Sequence, residues 1–221
     1  MKLLCSALIK FLVGVFMVGA LIFLPAGTLA YANGWLFIGL WFGPMLIFGA
    51  VLLAKSPDLL KKRLNAKEEE STQKWVVAIS GLLFVAGFVV AGLDFRLGWS
   101  DVPQWVVLIA AIILLAAYGL YVEVMRENAY LSRVIQVQEN QRVVDTGLYG
   151  IVRHPMYAVT VWLFLAIPVV LGSWWALLCV LPYVGLLAVR ILNEEKVLEV
   201  GLEGYRSYQK RVKYRLFPFI W

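Results

Sequence analysis

The chain has 221 residues, of which 62% are hydrophobic, and it carries a formal net charge of +6 at pH 7. Soluble domains are roughly 45–50% apolar, so this composition excludes an ordinary soluble protein and predicts one that is embedded in a membrane. A positive charge also suits nucleic-acid binding, but here the basic residues fall between apolar segments, which favours a role in membrane topology.

Four apolar segments in the first half of the chain are each long enough to cross a bilayer, which takes about 20 mostly apolar residues. The first segment has features of a signal peptide, but a second apolar run follows almost at once, which favours a retained helix. A charged loop at residues 55–74 separates the second segment from the third. The predicted spans cover residues 7–30, 35–54, 75–93 and 104–125.

The second half of the chain predicts a helix hairpin. Its apolar stretch at residues 156–192 would measure about 55 Å as one helix, whereas a hydrocarbon core is about 30 Å thick. Turn-forming residues lie in its middle, namely Pro168, Gly172 and Ser173, so both ends should lie on one face of the membrane. The polar segment before it, residues 126–155, has a composition typical of an ordered loop.

Beyond residue 193, apolar residues recur at helical spacing and predict an amphipathic surface helix, which two glycines should interrupt. The residues of this pattern are Val197, Leu198, Leu202, Tyr205, Tyr208 and Val212, with Gly201 and Gly204 between them.

Together these elements predict an all-α integral membrane protein. We expect a bundle of about six transmembrane helices, the last two forming the hairpin, followed by the C-terminal amphipathic helix. In this topology all of the 20 Lys and Arg residues except Arg96 lie on one side, which places the N-terminus, the long loop and the C-terminus in the cytoplasm. The chain should form one membrane domain, with a scaffold at residues 1–125 and the catalytic region at residues 126–221.

Polar residues flank the predicted hairpin on both sides. One cluster precedes it and the other ends it, so the hairpin should bring them together. Such residues can simply anchor helix ends, but ionisable groups at membrane depth are costly and tend to mark functional sites. His154 precedes Pro155, which favours an extended residue followed by the start of a helix. The clusters are Tyr149, Arg153, His154 and Tyr157, and Arg190, Glu194 and Glu195.

Several kinds of chemistry are disfavoured by the residues themselves. The chain has one His and two Cys, and the latter lie in apolar surroundings without metal-ligand spacing, so a metal site is not expected. The sequence has no GxSxG pattern for a serine nucleophile and no GxGxxG pattern after a strand.

The segments TGLYGIVRHPMY, RILNEEKVL and YRSYQKRVKYRLFP resemble the isoprenylcysteine carboxyl methyltransferase family, over about residues 136–218. This family belongs to a wider group of membrane methyltransferases that includes phospholipid N-methyltransferases. The resemblance implies an enzyme that uses S-adenosylmethionine and methylates a lipophilic or small-molecule acceptor. Membrane lipids are the other expected partner, and neither a metal nor a nucleic acid is expected.

The resemblance also implies site residues. It places Arg190 near the substrate carboxylate and Glu194 on the cofactor, and it makes these two the catalytic pair. The remaining cofactor-binding positions that it implies are Gln138, Gln141, Arg142, Val143, Val144, Tyr149, His154, Pro155, Met156 and Tyr157.

Methyl transfer from a sulfonium to an ionised acceptor needs alignment and a dry pocket rather than a strong base, which suits a chain with one His. Arg190 favours an anionic acceptor. A phospholipid amine or a small thiol remains an alternative acceptor. Alternatives of other classes are a small transporter, a membrane scaffold and a reductase that uses a nicotinamide cofactor.

Overall fold

The computed structural model describes residues 2–64, 71–131, 135 and 137–221. Within these ranges the chain is helical and forms no strand, which confirms the all-α prediction. A short 3-10 helix, Gly147–Gly150, lies in the polar segment before the hairpin. The α-helices are α1 (Lys2–Ala26), α2 (Ala32–Lys55), α3 (Pro57–Leu64), α4 (Ser71–Leu97), α5 (Gln104–Glu127), α6 (Pro155–Val170), α7 (Trp174–Val180), α8 (Tyr183–Gly201) and α9 (Tyr205–Arg211).

Five stretches of the described chain are long and apolar enough to cross a membrane: α1, α2, most of α4, α5, and α7 together with α8. They confirm an integral membrane protein. The remaining predicted span, the first limb of the hairpin, corresponds to α6, which is apolar but has 16 residues. Because a helix rises 1.5 Å per residue, α6 is about 24 Å long and is shorter than a hydrocarbon core of about 30 Å.

Two predicted loops are only partly described. The charged loop at residues 55–74 contains α3, while its residues 65–70 lie outside the described part of the chain. In the long polar segment, residues 132–134 and 136 also lie outside the described part of the chain. Residue 136 is the first position of the family resemblance.

The predicted hairpin turn is present between α6 and α7. Gly172 has a φ of +77°, a value that favours glycine, and the Ser173 side chain caps α7 by accepting a hydrogen bond from the Ala176 amide at 3.0 Å. The second limb is broken after α7, where Pro182 lacks the N–H that would continue the helix.

A buried carboxylate fixes this turn to the end of α4. Asp94 is 2% exposed and accepts hydrogen bonds at 2.6 Å from both the amide and the hydroxyl of Ser100. It also accepts one from the hydroxyl of Ser173, and the Tyr31 hydroxyl donates to the carbonyl of Leu171 nearby. The hairpin turn is therefore held at the end of the bundle away from residues 153–157.

The predicted amphipathic helix is present but shorter and differently placed. It is divided in two, because α8 extends to Gly201 and α9 begins after Gly204, whose φ is +82°. Its apolar residues do not lie on the surface; they pack against the polar segment that precedes the hairpin. This cluster contains Leu202, Tyr205, Tyr208 and Val212, with Val137, Val143 and Leu198 against them.

Candidate functional site

The hairpin brings its two polar ends into contact. The Tyr157 hydroxyl of α6 donates to Glu194 Oε2 of α8 at 2.6 Å. His154 Nε2 lies 3.3 Å from Glu195 Oε1. The two clusters that are about 40 positions apart in sequence therefore form one site, as the hairpin prediction requires.

Local backbone geometry places the first cluster. His154 is outside the helical region, with φ −127° and ψ 61°, and Pro155 occupies the first turn of α6, as the sequence predicts. Before it, the Glu127 carboxylate at the end of α5 accepts from the Leu148 amide at 2.9 and 3.2 Å and so caps the 3-10 helix. Asn128 donates to the Tyr149 hydroxyl at 2.9 Å.

Glu195 is the centre of a buried ionic network. It is 4% exposed and accepts from Arg153 Nε at 2.7 Å and from Arg215 Nε at 2.9 Å. Because a buried charge is stable only when it is paired and hydrogen-bonded, the carboxylate and Arg153 depend on each other.

The same arginine fixes the C-terminal segment. Arg153 Nη1 donates to the carbonyl oxygens of Val212 and Lys213 at 2.8 and 2.9 Å. The backbone amides of residues 153 and 154 donate to the carbonyls of Tyr214 and Arg215, each at 2.9 Å. Residues 212–215 therefore lie directly alongside the start of the hairpin.

These elements enclose a cavity with about 830 Å³ of empty space, counted to its open mouth. Its walls combine apolar side chains with polar groups such as Tyr149, His154 and Glu194, as sites for small molecules and cofactors do. Ten of the predicted site residues line it: Gln141, Arg142, Val143, Val144, Tyr149, His154, Met156, Tyr157, Arg190 and Glu194.

Two predicted cofactor-binding residues do not line this cavity. The Gln138 amide donates to Gln141 Oε1 at 2.8 Å, and the Gln138 side chain donates to the Tyr130 carbonyl. Gln138 therefore organises the loop whose next residues face the cavity. Pro155 begins α6 and supports its neighbours His154 and Met156, which do line the cavity.

Other lining residues were not predicted. Arg153 belongs to the polar cluster before the hairpin, but it is not among the site residues that the resemblance implies. The periodic pattern that includes Leu198 and Tyr208 predicts a helix. It does not indicate that the apolar side of this helix packs against the polar segment before the hairpin. The lining residues outside the prediction are Asn128, Tyr130, Leu131, Ile135, Arg153, Leu198, Leu202, Tyr205 and Tyr208.

A buried hydroxyl at the cavity indicates a polar ligand. Tyr205 is 4% exposed, and its hydroxyl has no hydrogen-bond partner within the described residues. Burial, reinforced by the charges of Glu195 and Glu194, raises the pKa of this phenol, so that it remains a neutral donor. An unsatisfied buried hydroxyl costs about 1–3 kcal/mol, which a ligand with acceptor atoms would offset.

The arginine at the cavity wall donates to side-chain oxygens of two other helices, α6 and α4. Arg190 Nε donates to the Tyr157 hydroxyl at 3.0 Å, and Arg190 Nη1 donates to Gln73 Oε1 at 2.8 Å. Gln73 lies near the start of α4, in the part of the chain that the sequence assigned to the scaffold. The division into a scaffold and a catalytic region stays a prediction. Helix α4 of the predicted scaffold nevertheless contacts Arg190 of the site.

One protein-family model matches part of the chain. The model of the isoprenylcysteine carboxyl methyltransferase (ICMT) family matches residues 107–200. This confirms the resemblance. The matched ICMT range contains α6, α7, all of α8 except its last residue, and both polar clusters, whereas Gln73 and the C-terminal segment lie outside it. The match supports a membrane methyltransferase of the ICMT type.

No curated protein matches the chain. In the described residues, no group of three or more His, Cys, Asp or Glu side chains could hold a metal ion.

Proposed function

We propose that this protein is a membrane-embedded methyltransferase that binds S-adenosylmethionine in the cavity and methylates the carboxylate of a lipophilic acceptor of the isoprenylcysteine kind. The observation that carries this proposal is Arg190, which lies at the wall of the cavity with its guanidinium plane fixed by Tyr157 and Gln73. The ICMT family match supports the reaction class.

The polar side of the cavity suits the cofactor. S-adenosylmethionine, when bound, supplies an electrophilic methyl group carried by a sulfonium sulfur. Glu194 would accept hydrogen bonds from the ribose or amino group, while the neutral phenol of Tyr205 would donate one to an acceptor atom of the cofactor. Burial also raises the pKa of Tyr149, another phenol of the lining, which therefore stays protonated.

The protein's own part in the reaction is alignment and the exclusion of water. Arg190 would hold the acceptor carboxylate by charge-assisted hydrogen bonds and leave one carboxylate oxygen directed at the methyl group. A carboxylate is already ionised at neutral pH, so no base is required. Helix α9 packs against the polar segment that precedes the hairpin, and residues 212–215 lie beside the start of α6. Together they would keep water away from the reacting atoms.

We expect the purified protein to bind S-adenosylhomocysteine. Isothermal titration in detergent should show a single site, and S-adenosylmethionine should compete for it, because both ligands carry the ribose and amino groups that Glu194 and Tyr205 would contact. NADPH serves as the control ligand. Binding of NADPH in place of S-adenosylhomocysteine would favour the reductase alternative, and binding of neither would favour a transporter or scaffold.

Replacing Arg190 by Ala should raise the KM for a carboxylate acceptor by about 100-fold, as expected from the loss of a charge-assisted contact of about 2–3 kcal/mol. N-acetyl-S-farnesylcysteine is a suitable acceptor, and methyl transfer from labelled S-adenosylmethionine measures the rate. The affinity for S-adenosylhomocysteine should stay within about twofold of wild type, a free-energy change of about 0.4 kcal/mol.

A wild-type KM in the Arg190→Ala variant would contradict the role of the arginine. Activity of the wild-type protein on a phospholipid amine or a small thiol, with none on the farnesylated carboxylate, would favour the other acceptors of the same enzyme group.

We infer that the cavity opens towards the cytoplasm. The support is the charge distribution of the sequence, because Lys and Arg residues concentrate in cytoplasmic loops. Glu203 is exposed at the same end of the bundle as the cavity. A cysteine introduced there should react with a membrane-impermeant maleimide only after cells are permeabilised, and labelling in intact cells would reverse the orientation.

A further inference from the structure

We propose that Tyr157 is a positioning residue that couples the two halves of the site, because its hydroxyl connects Glu194 on the cofactor side with Arg190 on the acceptor side. As a result, each ligand should strengthen the binding of the other. This inference rests on the proposed function and extends it, since it gives Tyr157 a role towards the acceptor as well as towards the cofactor.

The hydroxyl of Tyr157 contacts both polar residues at once. It donates to Glu194 Oε2 at 2.6 Å and accepts from Arg190 Nε at 3.0 Å. A phenolic hydroxyl has a single hydrogen to donate, so the bond to the carboxylate also sets the direction of the lone pairs that remain for the guanidinium. The three groups form a chain of hydrogen bonds, and neighbouring bonds in such a chain polarise one another.

Packing fixes the ring that carries this hydroxyl. Tyr157 is 6% exposed, and it belongs to a buried apolar cluster that includes Tyr183, Leu187 and Ile191 of α8. The hydroxyl therefore has a defined position between the two helices. A displacement of Glu194 or Arg190 from this position would leave a buried polar group without a partner, which is costly.

The two residues that share the hydroxyl lie on one face of α8. Arg190 and Glu194 are four positions apart, and both line the cavity. The contact between Arg190 Nη1 and Gln73 at 2.8 Å restrains a different nitrogen of the guanidinium. The contact with Tyr157 is made by Nε, so it adds to the restraint from α4 and connects the arginine with the cofactor side.

This chain of contacts predicts positive coupling between the two ligands. A cofactor that bonds to Glu194 would order the carboxylate, and the carboxylate would in turn hold the Tyr157 hydroxyl against Arg190. An acceptor that arrives afterwards meets an arginine that is already ordered, so less conformational entropy is lost on its binding. By thermodynamic linkage, the acceptor must increase the affinity for the cofactor by the same factor.

The test measures this factor with S-adenosylhomocysteine and N-acetyl-S-farnesylcysteine. The first ligand lacks the sulfonium charge, which removes its direct attraction for the acceptor carboxylate. Titration of the purified protein would give the Kd of each ligand with and without a saturating amount of the other. In wild type each ligand should lower the Kd of the other about fivefold, the lower end of typical coupling between sites. The methyl ester of N-acetyl-S-farnesylcysteine has no carboxylate for Arg190 and should show no coupling.

The Tyr157→Phe variant keeps the ring and removes the hydroxyl. Both ligands should bind more weakly, and the coupling factor should fall from about fivefold to below about twofold. A merely structural defect would weaken each ligand without changing this ratio. Tyr118→Phe is the matched control, because Tyr118 donates to the Trp41 carbonyl at 2.8 Å between α5 and α2. This control also loses one tyrosine hydroxyl and should keep the fivefold coupling.

An unchanged coupling factor in Tyr157→Phe would overturn the proposal. If this variant does not fold, wild type alone still tests the link, because equal coupling of the acid and the ester would show that the link does not pass through Arg190. Binding of both ligands to wild type without coupling would overturn this inference and leave the proposed function intact. Failure of wild type to bind S-adenosylhomocysteine, or to bind the acid in its presence, would instead overturn the proposed function.

Discussion

Replacing Glu195 by Gln is expected to lower the free energy of unfolding by about 3–5 kcal/mol, the usual cost of removing one partner from a buried ion pair. At about 2–4 °C per kcal/mol for a chain of this size, the unfolding temperature should fall by about 10 °C. Circular dichroism of the detergent-solubilised protein would measure the shift.

The reason is that Glu195 compensates two arginines at once. Arg153 is 7% exposed and would stay buried without a carboxylate partner, and the amide nitrogen of the new side chain would face another donor. Arg153 also holds the carbonyls of Val212 and Lys213. We therefore expect the C-terminal segment to loosen, which should weaken binding of S-adenosylhomocysteine about tenfold or more, or by at least about 1.4 kcal/mol.

Glu203→Gln is the matched control, since this carboxylate is exposed in the turn before α9. Its effect should stay within about 0.5 kcal/mol, as for most surface substitutions. The proposed network would be refuted if the Glu195 variant were as stable as the Glu203 variant and bound the cofactor product with wild-type affinity.

Replacing Gly147 by Ala should cost about 3 kcal/mol, from two sources. The residue has a φ of +55°, where a side chain costs about 1–2 kcal/mol. A methyl group there would also overlap the Glu127 carboxylate. Glu127 would have to move away and release the Leu148 amide, a charge-assisted hydrogen bond worth about 1.5–3 kcal/mol.

The consequence should extend to ligand binding, because the 3-10 helix that Glu127 caps contains Tyr149, which lines the cavity. The unfolding temperature should fall by about 8 °C. S-adenosylhomocysteine should bind about tenfold more weakly in titration calorimetry, a loss of about 1.4 kcal/mol.

Gly98→Ala separates the two sources. Gly98 has a similar φ of +65°, but no atom lies within 4 Å of an added methyl group. This variant should lose only about 1 kcal/mol and should bind the ligand normally. Equal losses of stability in both variants would show that backbone strain alone accounts for the effect and that the Glu127 contact contributes nothing.

The distinction between Glu194 and Glu195 shows where sequence reasoning ended. Both residues belong to the predicted cluster, and the resemblance selected Glu194 as the cofactor-binding acid. Neighbouring residues on a helix are about 100° apart, so the two carboxylates must face different partners. Which partner belongs to which residue depends on how α8 is rotated against α6. In the structure Glu194 accepts from Tyr157, and Glu195 accepts from Arg153.

The sequence by itself determined the membrane location, the all-helical fold, the hairpin and the meeting of its polar ends. These follow from local properties: the length of each apolar run against the thickness of a bilayer, and the restricted backbone of Pro155, Pro168 and Gly172. Only the tertiary structure decided that α9 packs on the loop and that Gln73 reaches Arg190, 117 positions away. Contacts of this kind depend on how each helix is rotated about its axis and shifted along it relative to its neighbours. A contact between two single residues leaves no periodic pattern in the sequence from which this rotation or shift could be predicted.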